Sequence, residues 1–278
     1  VCHTTGARGA TPTLAMSCVS AQRAWHHPGV VRVGKTPKVS RRGRFVRAAT
    51  AASAGDDGRP NKNRVAVFVS GGGSNLRALH AAMQDGSVDA QLAVVVSNAL
   101  DCGGVLWAQE NNIPTLRYPP TKQDKADGVG LTPELLVVAL DELNVGFVCL
   151  AGYLRLIPPA LCQRYEKNML NIHPALLPAF GGKGMHGNAV HAAVVASGAR
   201  VTGPTIHFVT EQFDEGKILA QRVVPVFPTD SVDDVAHRVL KEEHQVFPHA
   251  LSALVDGRVE FREDGVPKIK KKDGDAWE

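Results

Sequence analysis

The chain has 278 residues, 44% hydrophobic and 21% charged, which suits a globular protein with one core and some appendages. Its net charge of +4 is unevenly placed: residues 1–50 hold nine Lys or Arg and no acid, leaving 22 basic against 27 acidic residues, a net of −5, over the rest. A mildly acidic body has no electrostatic footprint for nucleic acid, no apolar run approaches the ~20 residues that cross a bilayer, and five cysteines without a CxxC pair form neither a disulfide framework nor a metal set.

The basic front is also rich in Ala, Ser and Thr, the composition of an organellar transit peptide, with the plastid favoured over the mitochondrion. The alternative is a basic tail that binds RNA or membrane. Residues 1–60 are therefore expected to be a disordered, transit-peptide-like segment, 61–265 a catalytic domain and 266–278 a charged tail, frayed from Lys268.

From Asn63 onward, strand-like and helix-like segments alternate. Residues 65–69 form a β-rich run, followed by the loop Ser70-Gly71-Gly72-Gly73-Ser74-Asn75-Leu76 and an amphipathic helix to about Gln84. Strands are expected at 92–96, 114–116, 146–150 and 169–172, and helices at 105–111, 158–166 and 188–196. Residues 119–130 read as a polar surface loop. Thr132-Pro133-Glu134 opens another helix, with Thr as N-cap and Pro at the first helical position. Residues 201–209 and 218–226 read as an antiparallel pair across the turn 210–216. A final helix spans 231–243, its start marked by Ser231, Asp233 and Asp234. This order predicts an α/β fold: an open, mostly parallel Rossmann-like sheet, helices on both faces, and an antiparallel C-terminal strand pair.

Four segments carry chemistry. In the Ser70–Leu76 loop, glycines let backbone N–H groups approach an anion and the following helix N-terminus adds partial positive charge, which suits one phosphate monoester. It is not a P-loop, because no GK[ST] follows, and Leu76 stands where a dinucleotide fingerprint needs its third glycine. In Leu170-Asn171-Ile172-His173-Pro174, Asn171 and His173 are two apart, so an extended backbone presents both from one face, and Pro174 ends the strand. An amide and an imidazole are thus offered together at a strand end, where open α/β sheets place ligands. Asp214, in a turn between strands, can point back at His173; such an anion favours imidazolium and raises the histidine pKa. Ala151–Ile157 can form a slot for a flat ring system. His186 and His191 are five apart and HExxH is absent, so no metal site is expected.

In this order, SGGGSNL, AGYLRLI, LNIHPALLP, HFVTEQFDEG and RVLKEEH resemble the phosphoribosylglycinamide formyltransferases of de novo purine synthesis, over about residues 64–262. The resemblance implies that Gly72, Gly73, Ser74 and Asn75 hold the substrate phosphate and that Glu243 hydrogen-bonds its ribose. It implies that Leu154, Arg155, Leu156 and Ile157, with Asn171, line the folate pocket, and that Asn171, His173 and Asp214 are the catalytic trio. The implied co-substrate is 10-formyltetrahydrofolate, the implied acceptor glycinamide ribonucleotide, with no metal, nucleic acid or membrane partner. Where relatives often carry an arginine for the folate after the third strand, residues 119–130 offer only Lys122 and Lys125. The alternatives are a hydrolase of the same formyl donor and a nucleotide-binding module without catalysis.

Overall fold

The computed structural model describes residues 63–127 and 130–272. The transit-peptide reading of residues 1–60 therefore lies outside the described residues. In chain order the first half contains β1 (Arg64–Val69), α1 (Ser74–Gln84), β2 (Gln91–Ser97), α2 (Gly103–Glu110), β3 (Thr115–Arg117) and α3 (Lys122–Ala126). Next come α4 (Pro133–Glu142), β4 (Val145–Leu150), α5 (Pro159–Arg164), β5 (Met169–His173) and α6 (Asn188–Ser197). The last part holds β6 (Val201–Thr202), β7 (Thr205–Phe208), β8 (Ile218–Gln221), β9 (Val224–Pro225), α7 (Val232–Val255), β10 (Val259–Phe261) and β11 (Pro267–Ile269).

The central sheet has seven strands in the order β3-β2-β1-β4-β5-β7-β8. The first five run parallel, and β7 and β8 add antiparallel to the β5 edge, as the alternation of segments predicts. Strand β1 is central, and five of its six residues are buried, the near-continuous apolar run expected of a strand covered on both faces. Its odd positions Val65, Val67 and Val69 pack with Leu76 and Leu79 of α1, Val105 of α2 and Phe247 and Leu251 of α7. Ala66 and Phe68 face the other way, toward Leu136 and Leu140 of α4 and Leu161 and Tyr165 of α5. Both faces are thus sealed, and ligands can approach only along the sheet margin.

Four expectations change. Residues 119–130 contain α3, nucleated by a capping box in which Thr121 accepts from the Asp124 N–H and the Asp124 carboxylate accepts from the Thr121 N–H. The long strands at 201–209 and 218–226 each break in two, and β6 pairs with β9 in a separate ladder. The break is built around Gly203, at φ 143°, where a Cβ would sit 1.8 Å from the Arg222 carbonyl oxygen. The last helix runs on from Glu243 to Val255 through Pro248, because its second half is a buried apolar face that docks on α1 and the sheet. The tail is not frayed at Lys268: β11 pairs with β10 through Ile269, which is buried in the main core.

Candidate active site

Because β1 lies between β2 and β4, their connections leave in opposite directions and open a crevice at the C-terminal ends of the strands. Ser70, the first residue after β1, ties this crevice together. Its N–H donates to the Gly152 carbonyl at 3.1 Å, its hydroxyl donates to Asn98 Oδ1 at 2.5 Å, and its oxygen accepts from the Leu154 N–H at 2.9 Å. One serine thereby joins the glycine loop to the segment after β4.

The glycine loop then enters α1 without a capping side chain and without an acidic residue in the first turn, whereas α3, α4 and α7 all carry side-chain caps. The orphan N–H groups of that turn are left for something else. Gly73 has φ 74°, and a Cβ there would come 2.7 Å from Gly104 Cα, so glycine is needed for packing against α2. Gly71 and Gly72 are different. Nothing lies within 4 Å of a Cβ at either, so the protein's own packing does not require them and the space above them is open. Asn75 turns inward, its Nδ2 donating to Glu243 Oε2 at 2.7 Å, while its Oδ1 is buried with no partner among the described residues. Burial raises the pKa of Glu243, and the Asn75 hydrogen bond opposes that rise without cancelling it. A shallow groove of about 930 Å³ begins beyond this pair, between Ala78 and Ala82 of α1 and His244 and Pro248 of α7, and is lined by none of Asn171, His173 and Asp214.

Strand β5 delivers Asn171 and His173, and β7 lies beside it with Asn171 opposite His207 and His173 opposite Thr205. Asn171 Nδ2 is 3.0 Å from His207 Nε2, and His207 Nδ1 is 2.8 Å from the Phe208 carbonyl. A carbonyl only accepts, so Nδ1 carries the hydrogen and Nε2 takes one from the Asn171 amide. Asp214 sits in the turn between β7 and β8 at φ 57°, with Oδ2 3.5 Å from His173 Nδ1 and Oδ1 3.6 Å from His207 Nε2. The Gly182 N–H holds Oδ2 at 2.9 Å. Sequence reasoning assigned no role to His207, Gly182 or Ser70. His207 had a legible signal, since it lies in a strand-like run that can pair with the Asn-x-His segment; the other two had none.

The charge state of the ring differs from the expectation. Burial is the largest influence on His173 and takes its pKa below the ordinary imidazole value; Asp214 and the Phe180 carbonyl push upward without reversing it, and His207 adds to the fall. His173 Nε2 donates to the Phe180 carbonyl at 2.9 Å, so the neutral ring has Nδ1 bare toward Asp214. For Asp214, burial alone would raise the pKa, but the hydrogen bond from the Gly182 N–H and the nearby His173 and His207 rings hold it low. A carboxylate and a neutral imidazole, poised to become an ion pair, is the resting arrangement.

On the fourth segment, Leu154 and Leu156 are about half exposed, Arg155 is exposed, and Ile157 is buried in the core under α4 and α5. Leu154 and Leu156 thus offer an apolar surface at the crevice, while the Ile157 side chain faces away from it. Beside it, Arg117 at the end of β3 lies 3.4 Å from Asp124. Among the described residues no cluster of three metal-ligating side chains is found, and no helix is long and apolar enough to cross a membrane.

The sequence model of the family described as formyl transferase matches residues 63–251. The chain is 50% identical, over 78% of its length and 74% of the relative's, to the chloroplastic phosphoribosylglycinamide formyltransferase of Arabidopsis thaliana. Glycinamide ribonucleotide transformylase 1 from Symbiobacterium toebii superposes with a TM-score of 0.66 at 33% identity, covering 75% of this chain and 94% of that one. A formyltetrahydrofolate deformylase from Pseudomonas syringae superposes with a TM-score of 0.65 at 25% identity, over 75% of this chain and 66% of that one. On these grounds the chain belongs to the formyl transferase family and, within it, to the phosphoribosylglycinamide formyltransferases.

Proposed function

We propose that the site moves the formyl group of 10-formyltetrahydrofolate to the primary amine of glycinamide ribonucleotide, a step of de novo purine synthesis. The observation that carries this reading is the meeting of Asn171, His173 and Asp214 at the end of β5. The uncapped α1 and the open space over Gly71 and Gly72 support a phosphate seat formed by Gly72, Gly73, Ser74 and Asn75. Glu243, with Oε2 taken by Asn75, has Oε1 for a ribose hydroxyl. The exposed Leu154 and Leu156, with the backbone of Arg155 to Ile157, suit a flat, partly apolar pterin.

The neutral amine attacks the formyl carbon, a C–N bond forms, and the carbonyl pair moves to oxygen. Asn171 Nδ2, one hydrogen given to His207, has its second for that oxyanion, and His173, once protonated, adds its positive charge beside it. The nitrogen loses its proton to Asp214, directly or through water. Asp214 passes that proton to His173 Nδ1, and the imidazolium so formed pairs with Asp214 until it gives the proton to the folate nitrogen as the old C–N bond breaks and the formyl C=O re-forms.

The test is an absorbance assay of formyl transfer run with and without the ribonucleotide amine. Turnover that requires the amine supports transfer; formate released without it supports the deformylase reading. We also propose the plastid as the destination, supported by the name of the Arabidopsis relative and by the composition of residues 1–60.

A further inference from the structure

Three consecutive carbonyls of the glycine loop are engaged. The Gly71 oxygen accepts from the Gly104 N–H at 3.0 Å, the Gly72 oxygen from Arg77 Nη1 at 2.8 Å, and the Gly73 oxygen from the Arg77 N–H at 3.0 Å. A trans peptide places its C=O and the next N–H on opposite sides. Fixing these carbonyls therefore turns the N–H groups of Gly72, Gly73 and Ser74 the other way, and none of them has a partner among the described residues. Two of the three anchors come from one residue, Arg77.

We propose that Arg77 is a positioning residue for the phosphate monoester of the substrate: its guanidinium captures the Gly72 carbonyl and so aims the Gly73 N–H at the ligand. This rests on the phosphate seat put forward above. Arg77 is exposed on the first turns of α1, and its other guanidinium N–H groups have no partner among the described residues. Its charge also reaches His244, where it adds to burial in lowering the histidine pKa. The core does not need this side chain, because it is exposed. Its only side-chain hydrogen bond among the described residues holds the Gly72–Gly73 peptide plane, whose rotation the glycines do not bar sterically.

The experiment compares full-length wild type, Arg77→Ala and Arg77→Gln, reading steady-state constants for both substrates and ribose 5-phosphate binding by calorimetry. Arg77→Ala is expected to weaken ribose 5-phosphate binding and raise KM for the ribonucleotide about tenfold, the scale of one lost charge-assisted hydrogen bond. KM for the formyl donor stays within about twofold, and kcat changes little. Glutamine, whose amide can still donate to the Gly72 carbonyl, recovers at least half of the loss. The proposal is overturned if Arg77→Ala binds ribose 5-phosphate as wild type does, if both KM values rise together, or if glutamine is no better than alanine. Wild type that binds ribose 5-phosphate in an Arg77-dependent way yet shows no amine-dependent turnover would sink the transferase reading and leave the role of Arg77 standing.

Discussion

Asp214 occupies a left-handed backbone conformation at φ 57°, which aspartate and asparagine tolerate better than most residues. Asparagine at this position keeps the acceptor for the Gly182 N–H and the same volume, and loses only the charge. Asp214→Asn is therefore expected to keep the fold, with a melting temperature within a few degrees of wild type, while kcat falls about 10²–10³-fold, the scale of one pre-aimed electrostatic group. His173→Ala should fall by a similar factor. Steady-state kinetics on variants whose unfolding curves match wild type would decide this, and near-normal turnover of Asp214→Asn would remove it from the catalytic trio. Asn171 and His173 were legible because two-residue spacing in a strand puts side chains on one face. That Asp214 faces both His173 and His207, and that burial outweighs it at the His173 ring, are properties of neighbours no local pattern names.

At the level of elements, the turn carrying Asp214 is fixed by Gly216. A Cβ there would lie 1.7 Å from the Phe208 carbonyl oxygen and 2.7 Å from its carbon, so the end of β7 and the following turn must move apart to admit one. Gly216→Ala is expected to cost about 3 kcal/mol, the upper range for forced overpacking, since backbone and not a flexible side chain blocks it. The same shift displaces Asp214, so kcat should drop by at least about tenfold for each ångström-scale misplacement. Urea unfolding and kinetics below the variant's melting range check both; wild-type stability would refute the tight contact. The regular elements were legible where one signal dominated: the buried run of β1, and Thr132-Pro133 at the start of α4, where Thr132 caps the Leu135 N–H. Short α3 was hidden among Pro119, Pro120 and Gly130, although its Thr121–Asp124 box stands in the sequence. The second half of α7 was hidden by Pro248, whose helix-breaking tendency is overridden by burial of Phe247, Ala250 and Leu251.

For the whole molecule, four histidines share a direction. Burial is the leading cause that lowers the pKa values of His80, His173, His191 and His244 below the ordinary imidazole value. A histidine with a depressed folded pKa leaves stability intact above the unfolded value, about 6.5, and removes it as pH falls through the lower folded value, because the unfolded chain binds protons first. Asp214, held low, adds a loss at more acid pH, while the raised pKa of Glu243 works the opposite way. With four groups against one, the melting temperature is expected to fall between about pH 7.5 and 5.5. Thermal unfolding at half-unit intervals tests this. His191, with a buried Nδ1 that lacks a partner among the described residues, should contribute visibly, so His191→Gln should flatten the curve. A melting temperature that rises on acidification would contradict the assignment.

By itself the sequence determined what short-range physics controls: an apolar run that must be a covered strand, a glycine loop that must free its N–H groups at a helix start, and an amide and imidazole on one face of a strand. Only the tertiary structure decided which distant groups meet them. Asn75 finds Glu243 168 positions away, and His173 finds Asp214 and the Phe180 carbonyl, because strand order and helix docking bring those segments to one margin of the sheet. Those long-range contacts carry no local periodicity, and the burial they create sets the charge of the histidine.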